Sequence, residues 1–172
     1  KALSNVLARE SGPLGARMHV LPLHSSLTYE EQQAVFEPAP PGKIKVIVAT
    51  NIAESSVTIP EAVAIVDAGR VRELQYDTLR KMSTLETGYA SRASVTQRRG
   101  RAGRVRPGRC FRLYSRALFD GAMQERRVPE IQRMELQHVV LQAKALLPAL
   151  PAQTVLARTM DPPAARNVAA AL

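Results

Sequence analysis

The chain's 172 residues and single cysteine, Cys110, suffice to bury a core unaided, and they exclude both a disulfide framework and a zinc cluster of Cys/His spacing. No run approaches the roughly eighteen apolar residues that cross a bilayer, and residues 1–10 lack a signal peptide's apolar block. An intracellular setting, nucleus or cytoplasm, with no membrane partner is therefore expected. The formal charge of +9 is concentrated: residues 70–116 hold twelve Arg and one Lys against Glu73, Asp77 and Glu86, a local +10. Arginine in such excess over lysine suits polyphosphate or nucleic acid, because the guanidinium fork donates bidentately to phosphate oxygens. Aromatics make up only 4 % with no Trp, which argues against a base-stacking platform.

Along the chain, Met18 to Leu23 and Ile44 to Ala49 are apolar runs bounded by turn residues and read as buried strands. Between them Thr28 opens a capped helix over Tyr29 to Phe36, with its glutamates in the first turn. Further strands are expected at Val63 to Asp67 and Cys110 to Tyr114, and a hairpin from Arg70 to Tyr76 and Met82 to Glu86. Pro129 to Leu147 carries Ile131, Met134, Leu136, Val139, Val140, Ala143 and Leu147 at helical spacing and predicts one packing helix. Strands alternating with helices imply an α/β fold with a mostly parallel sheet, whose ligands meet the loops at the carboxyl ends of the strands. His24 to Leu27 and Thr50 to Ser56 occupy those positions. His19, His24 and His138 are too scattered for a metal site.

The sharpest segment is Gln97-Arg98-Arg99-Gly100-Arg101-Ala102-Gly103-Arg104. On a helix, Gln97, Arg101 and Arg104 share one face and aim an amide and two guanidinium groups at one point. Gly100 and Gly103 each cost a helix about 1 kcal/mol relative to Ala, which suggests a close backbone approach. Phosphoryl transfer uses this equipment, cations to neutralise charge and a polar group to orient water. An arginine-rich RNA-binding helix without catalysis is the alternative reading.

In these residues the chain resembles the DEAH-box and RNA-helicase-A family of superfamily 2, whose second RecA-like lobe carries Gln-Arg-x-Gly-Arg-Ala-Gly-Arg. The likeness extends to Ala49 through Ile59, to Val66 through Arg70, to Tyr76-Asp77, to Pro107 through Tyr114 and to Pro129 through Arg133, all in family order. It implies a RecA-like three-layer α/β/α lobe with a β-hairpin insertion, in which Arg101 and Arg104 are arginine fingers and Gln97 positions the lytic water. Ser56 would sense nucleotide state. Phe36 would stack on the adenine, with Gly100 placed beside the nucleotide; by spacing alone Phe36 could equally close its helix into the core. His24, Ser25, Ser26, Thr50 and Asn51 would grip the RNA sugar-phosphate backbone, a task that suits short polar side chains. Without the likeness, His24 to Ser26 would read as a strand-to-helix turn. Arg99 receives no role, and Pro60 stands where relatives often carry an acidic residue.

The resemblance further implies ATP or another NTP with Mg²⁺, held mainly by a first lobe, since neither a Gly-x-x-x-x-Gly-Lys-Ser/Thr loop nor an Asp-Glu-x-His segment occurs. Residues 1–128 are expected to form the second lobe without its first strand. Residues 129–172 would be a helical extension leading into a truncated winged-helix region, so that the chain is a fragment of something larger. The implied partners are single-stranded RNA, the first lobe, the winged-helix and ratchet domains of the parent, and an activator protein. A non-catalytic RNA-binding or scaffold paralogue keeping this lobe is the second functional class.

Overall fold

A computed structural model describes residues 5–6, 9, 12–55, 58–77, 80 and 82–172. In chain order its elements are α1 (Gly12–Gly15), β1 (Met18–Leu23), α2 (Tyr29–Gln33), β2 (Ile44–Ala49), α3 (Ile52–Ser55), β3 (Ala64–Asp67), β4 (Arg70–Asp77), β5 (Met82–Tyr89) and α4 (Arg92–Arg99). A 3₁₀ turn (Gly100–Gly103) continues α4, and β6 (Arg109–Arg112), α5 (Arg116–Gly121), a second 3₁₀ turn (Glu130–Gln132), α6 (Gln137–Leu146), α7 (Ala152–Leu156) and α8 (Ala165–Ala170) follow. By packing these fall into two compact units, residues 1–69 with 92–121 and residues 70–91 with 122–172.

In the first unit β1 pairs with β2 and β3 with β6, each in parallel; among the described residues the four strands form two hydrogen-bonded pairs rather than one continuous sheet. Strand β1 is apolar throughout except His19, and its last residue, Leu23, is almost fully buried. Parallel neighbours require a crossover. Between β1 and β2 that crossover is α2, which opens with a complete capping box: the Glu31 amide donates to the Thr28 hydroxyl, and the Thr28 amide donates to the Glu31 carboxylate at 2.9 Å. The helix stops at Gln33. Val35, with no exposed surface, takes the core position, while Phe36 beside it is 40 % exposed. Of the two sequence readings of Phe36, closure of the core is therefore the one that fails.

In the second unit β4 and β5 form the antiparallel hairpin, in register from Arg70 opposite Tyr89 to Asp77 opposite Met82. Leu136, just ahead of α6, joins Val140, Ala143, Ala152, Leu156 and Val168 of α6, α7 and α8 in one apolar cluster, with Ile131, Met134 and Val139 packed on it. The single helix expected over 129–147 is broken. Residues 130–132 form a 3₁₀ turn, and α6 begins only at Gln137. At the break the Arg133 carbonyl accepts from the Tyr76 amide at 3.1 Å, and its guanidinium donates to the Leu74 carbonyl at 2.7 Å. Arg133 itself leaves the helical conformation, at φ −128° and ψ 6°, which ends the turn. The apolar spacing survives because both segments still face one cluster.

Candidate functional site

The polar loops of the first unit are set by strand pairing. Because Leu23 and Ala49 are opposite partners at the carboxyl ends of β1 and β2, and the Thr50 amide donates to the Leu23 carbonyl at 3.1 Å, the segments after the two strands emerge side by side. His24 is half-buried, whereas Ser25, Ser26, Thr50 and Asn51 are exposed. The turn is closed by the Leu27 amide on the His24 carbonyl at 3.2 Å. Thr50 and Asn51 also start α3, whose Ala53 and Glu54 amides donate to their carbonyls. The structure thus brings all five residues to one edge. Ser56 lies outside the described residues.

The arginine segment is α-helical only in its first part. α4 ends at Arg99 and tightens into the 3₁₀ turn at Gly100, where glycine's low helix propensity meets the usual narrowing of a helix end. Gln97 and Arg104 are exposed and Arg101 is half-buried. The Arg101 guanidinium donates to the Glu54 carbonyl and the Arg104 guanidinium to the Thr58 hydroxyl, so both reach the segment that follows β2. Burial lowers the Arg101 pKa from its ordinary value, the neighbouring charge of Arg104 lowers it further, and Glu54 opposes them. Two cations thus sit close enough to repel, and an anion between them would relieve both.

At Gly100 and Gly103 the chain makes no close approach of its own: among the described residues nothing comes within 4 Å of a Cβ built on either one. At Gly108 such a Cβ would overlap the Ala102 carbonyl, so the glycine ahead of β6 is what lets the turn pack there.

Arg98 was given no part by the sequence, yet it holds the most buried charges of this unit. Its Nε donates to Glu54 Oε2 at 3.1 Å and its Nη1 to Asp67 Oδ1 at 3.0 Å, with the Glu54 and Asp67 side chains only 9 % and 2 % exposed. Asp67 is itself fixed. Its Oδ1 also accepts the amide of Gly69, a residue at φ 66°, and its Oδ2 accepts the Tyr114 hydroxyl at 3.3 Å. Burial first, then the Asp67 charge, push the Tyr114 phenol up to about 12. A signal was present in the sequence: a carboxylate closing the apolar strand Ala64 to Asp67 must be paired if buried, and the partner must be a cation from elsewhere. In place of an acidic residue at Pro60, Glu61 follows and pairs with Lys45 at 3.3 Å.

Residues 3–106 match the helicase conserved C-terminal domain. The chain belongs to that family. Its fold is accordingly the RecA-like α/β lobe, and the arginine turn and both polar loops lie inside the matched range. Among relatives, it is 43 % identical over 157 residues to the DExH-box ATP-dependent RNA helicase DExH6 of Arabidopsis thaliana, covering 91 % of this chain and 12 % of that protein. Over 149 residues it is 43 % identical to the putative ATP-dependent RNA helicase DHX57 of Homo sapiens, covering 86 % and 11 %. The ATP-dependent RNA helicase DHX30 of Gallus gallus is 41 % identical over 163 residues, covering 95 % and 13 %. The chain spans roughly a tenth of the length of these relatives. Among the described residues no group of three or more His, Cys, Asp or Glu could hold a metal ion, and no helix is long and apolar enough to cross a membrane.

Proposed function

We propose that this lobe completes the NTPase site of an ATP-dependent RNA helicase of the DEAH-box type, lending Arg101 and Arg104 to the β- and γ-phosphates of a nucleotide held by a first RecA-like lobe. The observation that supports the reading is that both guanidinium groups reach the segment after β2, Arg101 at the Glu54 carbonyl and Arg104 at the Thr58 hydroxyl. Polyphosphate oxygens are better acceptors for both, since charge-assisted bonds to an anion are about twice as strong as those to neutral groups. Such cations act on the charge that spreads over the transferred phosphoryl group.

Gln97, exposed on α4, orients the attacking water in this reading. The exposed Phe36 ring supplies the adenine stack, with Gly100 at the nucleotide and Ser56 sensing its state. Mg²⁺ is held by the first lobe. His24, Ser25, Ser26, Thr50 and Asn51 grip single-stranded RNA through its sugar-phosphate backbone, and their common edge at the ends of β1 and β2 supports this. Closure of the two lobes on ATP then moves that edge along the strand in the 3′-to-5′ direction. Residues 1–128 act as the lobe and 129–172 as an extension toward winged-helix and ratchet domains, with an activator protein as a further partner.

The test is Arg104→Ala in the two-lobe enzyme. RNA-stimulated ATP turnover should fall about 10³-fold or more, as for other arginine fingers, while RNA affinity by fluorescence anisotropy holds. Equal loss of turnover and RNA binding would mean that Arg104 serves RNA or the fold. The chain alone should bind RNA weakly, with strong salt dependence, and hydrolyse no ATP.

A further inference from the structure

We propose that Arg98 is the positioning residue that aims the arginine fingers, a role that rests on the reading of Arg101 and Arg104 just given. The 3₁₀ turn that carries Arg101 holds glycine at both ends, Gly100 and Gly103, and both are sterically open. Glycine gives a turn little rigidity of its own. The aim of the guanidinium groups must therefore be imposed by what grips the turn on either side.

On the far side the grip is the approach of Gly108 to the Ala102 carbonyl. On the near side it is Arg98, the next-to-last residue of α4. Its planar fork takes two carboxylates at once, Glu54 of α3 and Asp67 at the end of β3. Asp67 is an immobile anchor, because its oxygens also hold the Gly69 amide and the Tyr114 hydroxyl. Glu54 is the linking residue: its carboxylate binds Arg98 while its carbonyl accepts Arg101. Through it the position of α3 and the direction of the first finger are set together. Lysine cannot replace this arrangement, since one ammonium on a flexible stem does not present two donors in a fixed plane.

A finger displaced by about 1 Å costs on the order of a hundredfold in rate. In the two-lobe enzyme at saturating RNA, Arg98→Lys should lower kcat about 10- to 100-fold, leaving the ATP KM and the RNA Kd within about threefold. The deciding measurement is a double-mutant cycle with Arg101→Lys. If Arg98 acts through the fingers, adding Arg98→Lys to an Arg101→Lys enzyme should cost less than about twofold more. The same loss in both backgrounds, or full kcat in Arg98→Lys alone, overturns the proposal. Should Arg98→Lys fail to fold, as judged by thermal melting, Glu54→Gln goes through the same cycle under the same criteria, since it keeps an acceptor for Arg98 while removing the charge. Full kcat in Arg101→Lys alone would remove the finger reading itself and this proposal with it, which separates the two failures.

Discussion

The two compact units differ in buried charge: both bury apolar side chains, Leu23, Val35 and Val95 among those of the first, but among the described residues the buried carboxylates lie in the first alone. At the heart of the first, around the arginine turn, stand charged groups: Arg98 between Glu54 and Asp67, with Tyr114 on the same carboxylate. The second is centred on an apolar cluster of α6, α7 and α8, from Leu136 to Val168, with no charged member. An apolar cluster stabilises in proportion to buried area and tolerates small shifts of its members. A buried ion pair gains little net stability over an apolar replacement, but it fails sharply when one member is lost, and it fixes direction. Under the proposed function, the unit that aims guanidinium groups is the one with the directional device.

That contrast can be broken by mutation. Asp67→Ala leaves Arg98 with one carboxylate and the Gly69 amide without its acceptor, and should destabilise the chain by about 3–5 kcal/mol in urea unfolding. In the two-lobe enzyme the same change should lower ATP turnover even where the protein is still folded. Leu156→Ala in the apolar cluster should cost about 2–5 kcal/mol and leave kcat of the folded enzyme unchanged. A matching loss of kcat would show that the helical cluster also sets the site. Thr28→Ala removes one half of the capping box and should cost about 1 kcal/mol, again with kcat unaltered.

The smallest effect is in pH dependence. Tyr114 titrates in the folded chain near 12, above its ordinary 10, so the folded state keeps a proton that the unfolded state gives up. This contribution to stability is complete below pH 10 and is lost as pH rises toward 12. Comparison of urea midpoints across that window should show a steeper decline for the wild type than for Tyr114→Phe. Parallel declines would mean that burial beside Asp67 does not raise the phenol.

Much of the fold was legible locally. The limits of β1 and β2 follow from apolar runs between breakers, and the start of α2 follows from Thr28 and Glu31 at capping-box spacing. Helical spacing found the apolar residues of 129–147 but not the break at Arg133, because spacing records which side is buried and not where a residue tied to a neighbouring strand leaves the helical conformation. The close approach of Gly108 to Ala102 had no signal in the sequence, since only the folded backbone brings the start of β6 up to that residue.

The arginine segment ends with the same division. Its residue types and order alone determined that cations gather here and which family the chain belongs to, since guanidinium chemistry and motif order are properties of the linear sequence. Tertiary structure alone decided what each arginine touches. Arg98, Arg101 and Arg104 are chemically identical, and only the placement of Glu54, Thr58 and Asp67 in space brings the first to two buried carboxylates, the second to the Glu54 carbonyl and the third to the Thr58 hydroxyl.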